Sequence, residues 1–273
     1  MCAVVNTPIC PLMTQPRPDC PLADEALLGM VVDILEDTNE AYCLVRTHYR
    51  YEGYAPKACL VMGNGAAAAW EATAQRVILG KNSCDLHSEP KYQSYPLLQG
   101  LTLGGRVAVE GEPEDNWQKV SLPDGRTGYL RPSWLGEYHA APLALPEEEL
   151  RKKIVDTALL YRGTHYRWGG KSPLGIDCSG LCSMSYLLNG ILIYRDASIE
   201  EGFPIHPIDP AEARPGDLLF FPGHVAMCME DRLFIHSTGH AGSDGVDINS
   251  TDPASPLYRK DLMDTLSGAG SYF

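Results

Sequence analysis

Cys178 stands between a glycine-rich turn, Gly163-Thr164-His165-Tyr166-Arg167-Trp168-Gly169-Gly170, and the apolar positions Leu181, Met184, Leu187 and Leu188. That spacing, with Pro173, Gly175 and Asp177 just ahead, predicts a helix whose first turn carries the thiol. A thiol that attacks a carbonyl must act as a thiolate, and an ordinary cysteine titrates near ~8.5. Free N–H groups and the dipole at a helix start favour the anion, which makes Cys178 a candidate nucleophile. The plain alternative is a buried packing cysteine, the expectation for most of the other cysteines.

A nucleophile needs a base and a group that orients the base. Pro222-Gly223-His224-Val225-Ala226-Met227-Cys228-Met229 reads as a buried strand, Glu230-Asp231-Arg232 as a turn, and Leu233-Phe234-Ile235-His236-Ser237 as the returning strand. An odd-length loop centred near Glu230 puts His224 and His236 on one face, almost opposite, where Cβ atoms lie about 4.5–5.5 Å apart. A slip of one residue would separate them onto opposite faces, leaving two ordinary core histidines. Zinc is the other chemistry to weigh, because Cys178/Cys182 and His224/Cys228 are each four apart. Four strand residues span about 13 Å, too far for His224 and Cys228 to share an ion, and short CxxC pairs are missing.

The elements that must position these residues fall into three stretches, 1–65, 66–140 and 141–273. In the first, Val31-Val32-Asp33-Ile34-Leu35 and Ala41-Tyr42-Cys43-Leu44-Val45-Arg46 read as strands around a polar turn. Ala66 to Ala69 reads as a linker or one helical turn. The second stretch repeats the first: Arg106-Val107-Ala108-Val109-Glu110 matches the Val31 strand, Trp117-Gln118-Lys119-Val120 matches Tyr42 to Val45, and Gly128-Tyr129-Leu130 matches Gly53-Tyr54-Ala55. Leu98-Gln99-Gly100-Leu101 is aligned with Leu27-Leu28-Gly29-Met30. Two small all-β barrels are expected. After the Pro142 to Pro146 hinge, a helix over about 147–161 opens an α+β region.

These motifs resemble a known family. Tyr166-Arg167-Trp168-Gly169-Gly170, Asp177-Cys178-Ser179-Gly180-Leu181, Arg214-Pro215-Gly216-Asp217-Leu218, Gly223-His224-Val225-Ala226 and Ile235-His236-Ser237 occur in the order seen in NlpC/P60 cell-wall cysteine peptidases. The duplicated front region resembles the bacterial SH3-like (SH3b) domain, with Tyr54 and Tyr129 where that domain usually has tryptophan. The resemblance implies an α+β, papain-like catalytic domain behind two SH3-like barrels. It implies Cys178 as nucleophile, His224 as general base, His236 as orienting residue and Tyr166 near the oxyanion, with no metal or organic cofactor. Relatives with SH3b domains in front cleave γ-D-glutamyl–diamino acid bonds, to meso-diaminopimelate or Lys, in murein peptides that begin with a free L-Ala. Tyr194-Arg195-Asp196-Ala197-Ser198 is similar to their Arg-Asp-Ser/Ala-Ser motif, whose aspartate pairs with the substrate ammonium. Asp196, with Asp177, Ser179, Ala197 and Ser198, is therefore expected to line the substrate site. In such relatives the first barrel also lends a tyrosine and an acid; Tyr51 and Glu25 are the candidates here, with Tyr49 and Asp24 as close rivals.

Charge and compartment narrow the partners. A formal net charge of −13 makes nucleic acid and anionic surfaces poor partners. The N-terminus shows no basic segment followed by a long apolar run, and no run of about eighteen apolar residues occurs. The expectation is a cytoplasmic enzyme of murein peptide recycling, with its peptide as partner and no obligate protein partner. The alternatives are a secreted peptidoglycan hydrolase held at the wall by SH3b domains, and a non-enzymatic SH3b binding protein.

Overall fold

The computed structural model describes residues 1–273, which divide into two compact units, Met1–Tyr138 and His139–Phe273. The first unit contains both barrels. Barrel 1 is built from β1 (Cys2–Val5), β2 (Ile9–Met13), β3 (Leu22–Leu27), β4 (Val31–Glu36), β5 (Tyr42–Thr47), β6 (Glu52–Pro56) and β7 (Leu60–Met62). Barrel 2 is built from β8 (Gln75–Ile78), β9 (Ser83–His87), β10 (Pro96–Thr102), β11 (Arg106–Glu114), β12 (Trp117–Ser121), β13 (Thr127–Leu130) and β14 (Leu135–Glu137). The strand orders are β3-β2-β6-β5-β4-β1-β7 and β10-β9-β13-β12-β11-β8-β14, so the second sheet repeats the first strand for strand. In β5 the alternation of the pleat is visible in the burial of Cys43, Val45 and Thr47.

The internal repeat is real, but one part of its alignment moves. Gly29 and Gly104 both have positive φ (77° and 90°) and each lies in the turn that leads into the long strand β4 or β11. Leu27-Leu28-Gly29-Met30 therefore corresponds to Thr102-Leu103-Gly104-Gly105, four residues beyond the stretch suggested by the sequence. Both alignments carry a glycine at the third position, and strand pairing distinguishes them. The Ala66 segment is α1 (Ala66–Glu71), whose Trp70 donates its indole N–H to the Gly29 carbonyl at 2.8 Å. The Arg106 guanidinium bonds the same carbonyl, and the Arg106 backbone N–H donates to Leu28 at 2.8 Å. A Cβ on Gly29 would lie 2.9 Å from the Trp70 ring. The barrels are thus fused across this turn, rather than strung on a linker.

In the second unit, α2 (Glu147–Leu159) starts with three glutamates that suit the positive end of its dipole. It stops two residues before the expected Tyr161, which turns inward and is fully buried. A two-stranded hairpin, β15 (Lys171–Ser172) and β16 (Gly175–Ile176), leads into α3 (Cys178–Leu187). The remaining strands are β17 (His206–Ile208), β18 (Leu218–Phe221), β19 (His224–Cys228), β20 (Leu233–Thr238), β21 (Gly245–Ser250) and β22 (Gly268–Ser271), with the short α4 (Lys260–Met263) before the last. They form one antiparallel sheet in the order β17-β22-β18-β19-β20-β21. The helix α3 packs on α2 and on β19 and β20. The fold class is α+β, as the sequence indicates. No helix is long and apolar enough to cross a membrane.

Candidate active site

Asp177 caps α3, and the thiol sits on the first residue of that helix. One Asp177 carboxylate oxygen accepts from the Gly180 N–H at 2.6 Å, and the other from the Gly169 N–H at 2.8 Å. Arg195, almost fully buried, clamps both oxygens at 3.0 Å and donates to Ser179 Oγ at 2.8 Å. The glycines of the two flanking motifs have a steric reason. A Cβ on Gly180 would come within 2.3 Å of the Gly170 carbonyl, and a Cβ on Gly170 within 2.4 Å of the Gly175 carbonyl. Only hydrogens in those places let the helix start close onto the preceding turn.

Burial dominates the thiol itself. Cys178 is 6% exposed, and desolvation pushes its pKa above the ordinary value, with the Asp177 carboxylate adding to the shift. The backbone N–H groups of Val225 and Ser179 and the Arg195 guanidinium pull the other way. In this resting arrangement the helix start alone does not hold a thiolate, contrary to the simple reading of its dipole. The proton leaves only when a base takes it. The Val225 hydrogen bond puts the sulfur at the beginning of β19, beside His224.

His224 and His236 meet as the hairpin parity required. Met227 pairs with Ile235 and Cys228 with Phe234, which centres the turn on Asp231 rather than Glu230. Asp231 and Arg232 adopt left-handed conformations (φ 57° and 60°) that close this short loop. The two histidines consequently share a face as diagonal neighbours, and the rings bridge the gap: His224 Nε2 lies 2.8 Å from His236 Nδ1. His236 Nε2 lies 2.9 Å from Asn249 Oδ1 on β21. Burial pushes both imidazoles down to about 4, His236 adding to the shift on His224, while the Asn249 bond pulls His236 back upward. Both rings are neutral at physiological pH. No motif in the sequence singles out Asn249.

Tyr166 is half-buried, pairs with Ile176 in a bridge beside the helix start, and packs its ring against Gly239. Burial, then the nearby Cys178 and Asp177, pushes its phenol up to about 12, so it remains an O–H donor. Asp196 is exposed and, with Ser179, Tyr194, Ser198, Glu200 and Val225, lines a cavity next to the thiol's helix. Ala197 is half-buried between Asp196 and Ser198. Asp177 is not part of that lining; its carboxylate caps α3, holds Arg195 and accepts from Ser179 Oγ at 3.3 Å. Arg195, which the sequence shows only as part of the motif around Asp196, shares that buried structural job. In barrel 1, Glu25 is buried on β3 and Tyr51 is half-buried just before β6. Their rivals Tyr49 and Asp24 are both buried and joined by a 2.5 Å hydrogen bond.

The nine cysteines are free thiols, six of them buried. No group of three or more His, Cys, Asp or Glu side chains is arranged to hold a metal ion.

A cysteine on the first turn of a helix, packed against an antiparallel sheet whose neighbouring strands present two linked histidines, defines a papain-like thiol hydrolase. The NlpC/P60 family model matches residues 163–264, and a model described as the bacterial dipeptidyl-peptidase Sh3 domain matches residues 12–60. The chain is 43% identical over 275 residues to dipeptidyl-peptidase 6 of Lysinibacillus sphaericus, covering 100% of both chains. It is 25% identical over 231 residues to a gamma-D-glutamyl-L-lysine dipeptidyl-peptidase of Bacillus cereus, covering 79% of this chain and 67% of the relative. The fold is similar to the crystal structure of an NlpC/P60 family protein from Bacillus cereus, with a TM-score of 0.80 at 22% identity over 100% and 99% of the two chains. The protein belongs to the NlpC/P60 family and is a cysteine peptidase with an SH3-like β region in front.

Proposed function

We propose that this peptidase hydrolyses the γ-D-glutamyl–diamino acid bond of free murein peptides that carry an N-terminal L-Ala, in the cytoplasm, as a step of cell-wall recycling. The observation that carries the reading is the cavity beside α3, where Asp196 and Glu200 place negative charge next to the thiol's helix. A free ammonium at the substrate's N-terminus suits such a pocket, and a peptide whose amine is acylated by the glycan does not. The similarity to a relative named gamma-D-glutamyl-L-lysine dipeptidyl-peptidase supports a γ-D-glutamyl bond as the target.

In this mechanism His224 accepts the Cys178 proton as the sulfur attacks the γ-glutamyl carbonyl carbon. The Cys178 backbone N–H and the Tyr166 hydroxyl stabilise the oxyanion. The intermediate collapses as the C–N bond breaks, and the imidazolium of His224 protonates the departing amine. The resulting thioester is then attacked by water, which gives its proton to His224. As the C–S bond breaks, the imidazolium of His224 returns that proton to the Cys178 sulfur, and the product with its free γ-carboxyl is released. The diamino acid is meso-diaminopimelate or Lys.

The test is to incubate the protein with free L-Ala-γ-D-Glu-meso-diaminopimelate, its Lys counterpart and intact sacculi. Fast cleavage of a free peptide with little release from sacculi is the expected result. Equal release from both would sink the recycling reading and favour a wall hydrolase.

A further inference from the structure

The thiol, the two histidines and Asn249 lie on four different elements, and of the two directions in which hydrogen bonds can run along them only one leaves His224 a free lone pair. Asn249 is buried on β21, and its Oδ1 faces His236 Nε2 at 2.9 Å. An amide oxygen only accepts, so His236 Nε2 carries the proton. The neutral ring then has a lone pair on Nδ1, which accepts from His224 Nε2–H at 2.8 Å. His224 Nδ1 is left without a proton. Reversing the first bond, with the amide N–H₂ donating, would reverse every later one and put a proton on His224 Nδ1. The imidazole would then have no free lone pair to offer the thiol.

We infer that Asn249 is a positioning residue, which acts through His236 to fix the tautomer in which His224 Nδ1 is the free base. This rests on the roles proposed for Cys178 and His224, and Asn249 itself touches neither substrate nor thiol. The relay has a built-in point of failure. A protonated His236 has N–H groups on both nitrogens, so it can no longer accept from His224 Nε2. The charged groups that bear on His236 are Asp247, directly opposite on β21, together with Arg259, Asp261 and the facing His224 ring.

The full-length protein tests this with Asn249→Leu, Asn249→Asp and nitrogen-15 histidine spectra of the resting enzyme, using the free tripeptide as substrate. The wild-type spectrum is expected to show His224 protonated on Nε2, with the resonance assigned by its loss in His224→Gln. Asn249→Leu should lower kcat roughly 10–100-fold with KM little changed, the range seen when the outer hydrogen-bond partner of a metal-bound histidine is removed. Asn249→Asp keeps an obligate acceptor, so it should retain the tautomer and activity near neutral pH. Its carboxylate also stabilises the His236 cation, so the acid limb of kcat should move to higher pH. A proton on His224 Nδ1 in the wild type, or an acid limb unmoved in Asn249→Asp, overturns the inference; so does a folded Asn249→Leu with full kcat. Should Asn249→Leu fail to fold, the wild-type tautomer and the Asn249→Asp profile still decide it. Full activity in Cys178→Ala or His224→Ala would instead overturn the catalytic assignment, which the resting tautomer measurement does not depend on.

Discussion

Two buried polar clusters flank Cys178, and they solve the same solvation problem in opposite ways. On one side, Asp177 and Arg195 form an ion pair, oxygen to nitrogen at 3.0 Å, with backbone N–H groups of Gly169 and Gly180 completing the carboxylate. On the other, His224 and His236 are driven neutral and joined ring to ring. A buried charge survives only when its partners are fixed and complete. A proton shuttle needs a group that can change charge, so its resting state is the uncharged one. The ionic cluster therefore shapes the helix start, and the neutral cluster is left free for chemistry.

The sharpest way to break this contrast is to damage each side separately. For the chemistry that the neutral side serves, Cys178→Ala should reduce kcat by at least about 10⁴-fold while leaving the unfolding midpoint close to that of the wild type, since loss of a nucleophile costs on this scale in other hydrolases. Steady-state kinetics with parallel denaturant unfolding reads both quantities. On the ionic side, Arg195→Leu strands the Asp177 carboxylate and should cost about 3–5 kcal/mol of stability, seen as a lower urea midpoint. A loss of activity without that shift would put Arg195 in the chemistry instead.

Acid should also distinguish the clusters. Each histidine titrates at about 6.5 when unfolded and at about 4 in the folded protein. The unfolded chain therefore binds the extra protons first, and the stability from the neutral rings, complete above about 6.5, is lost as pH falls towards 4. Between pH 6.5 and 5 the loss should approach about 2 kcal/mol per ring. His236→Asn should flatten this slope in unfolding measured across that range; an unchanged slope would show that other groups set it. The smallest effect belongs to Asp196, next to Arg195 in sequence but exposed. Asp196→Ala should cost the free-amine peptide of order tenfold in kcat/KM through one lost charged hydrogen bond, with the N-acetylated peptide barely affected. Equal losses on both peptides would make Asp196 structural.

Much of this was legible locally. Asp177 and Gly180 mark a capped helix start because a carboxylate and a missing side chain are needed within one turn of chain. The shared face of His224 and His236 follows from their even separation and an odd turn, even though the turn centre is one residue further along than expected. Asn249 was not legible. Its place beside His236 depends on the β20–β21 register, which pairs His236 with Asp247 and brings Asn249 in diagonally. The connection between those strands, Gly239 to Asp244, carries several turn residues, and a loop of that length does not let any one of them fix the register. Arg195 was read past for a similar reason: a charged residue in a loop motif gives no sign that it folds inward onto a carboxylate eighteen residues earlier.

The sequence by itself determined the strand repeat, the helix that begins at Cys178, and the ordered set of thiol and histidine motifs. Periodicity, capping and turn length act over a few residues, so they are written in the chain directly. Tertiary structure alone decided which polar groups are charged, which are neutral and which way the hydrogen bonds run through His224, His236 and Asn249. Those properties depend on burial and on partners from distant strands, and solvation at one atom is set by everything packed around it.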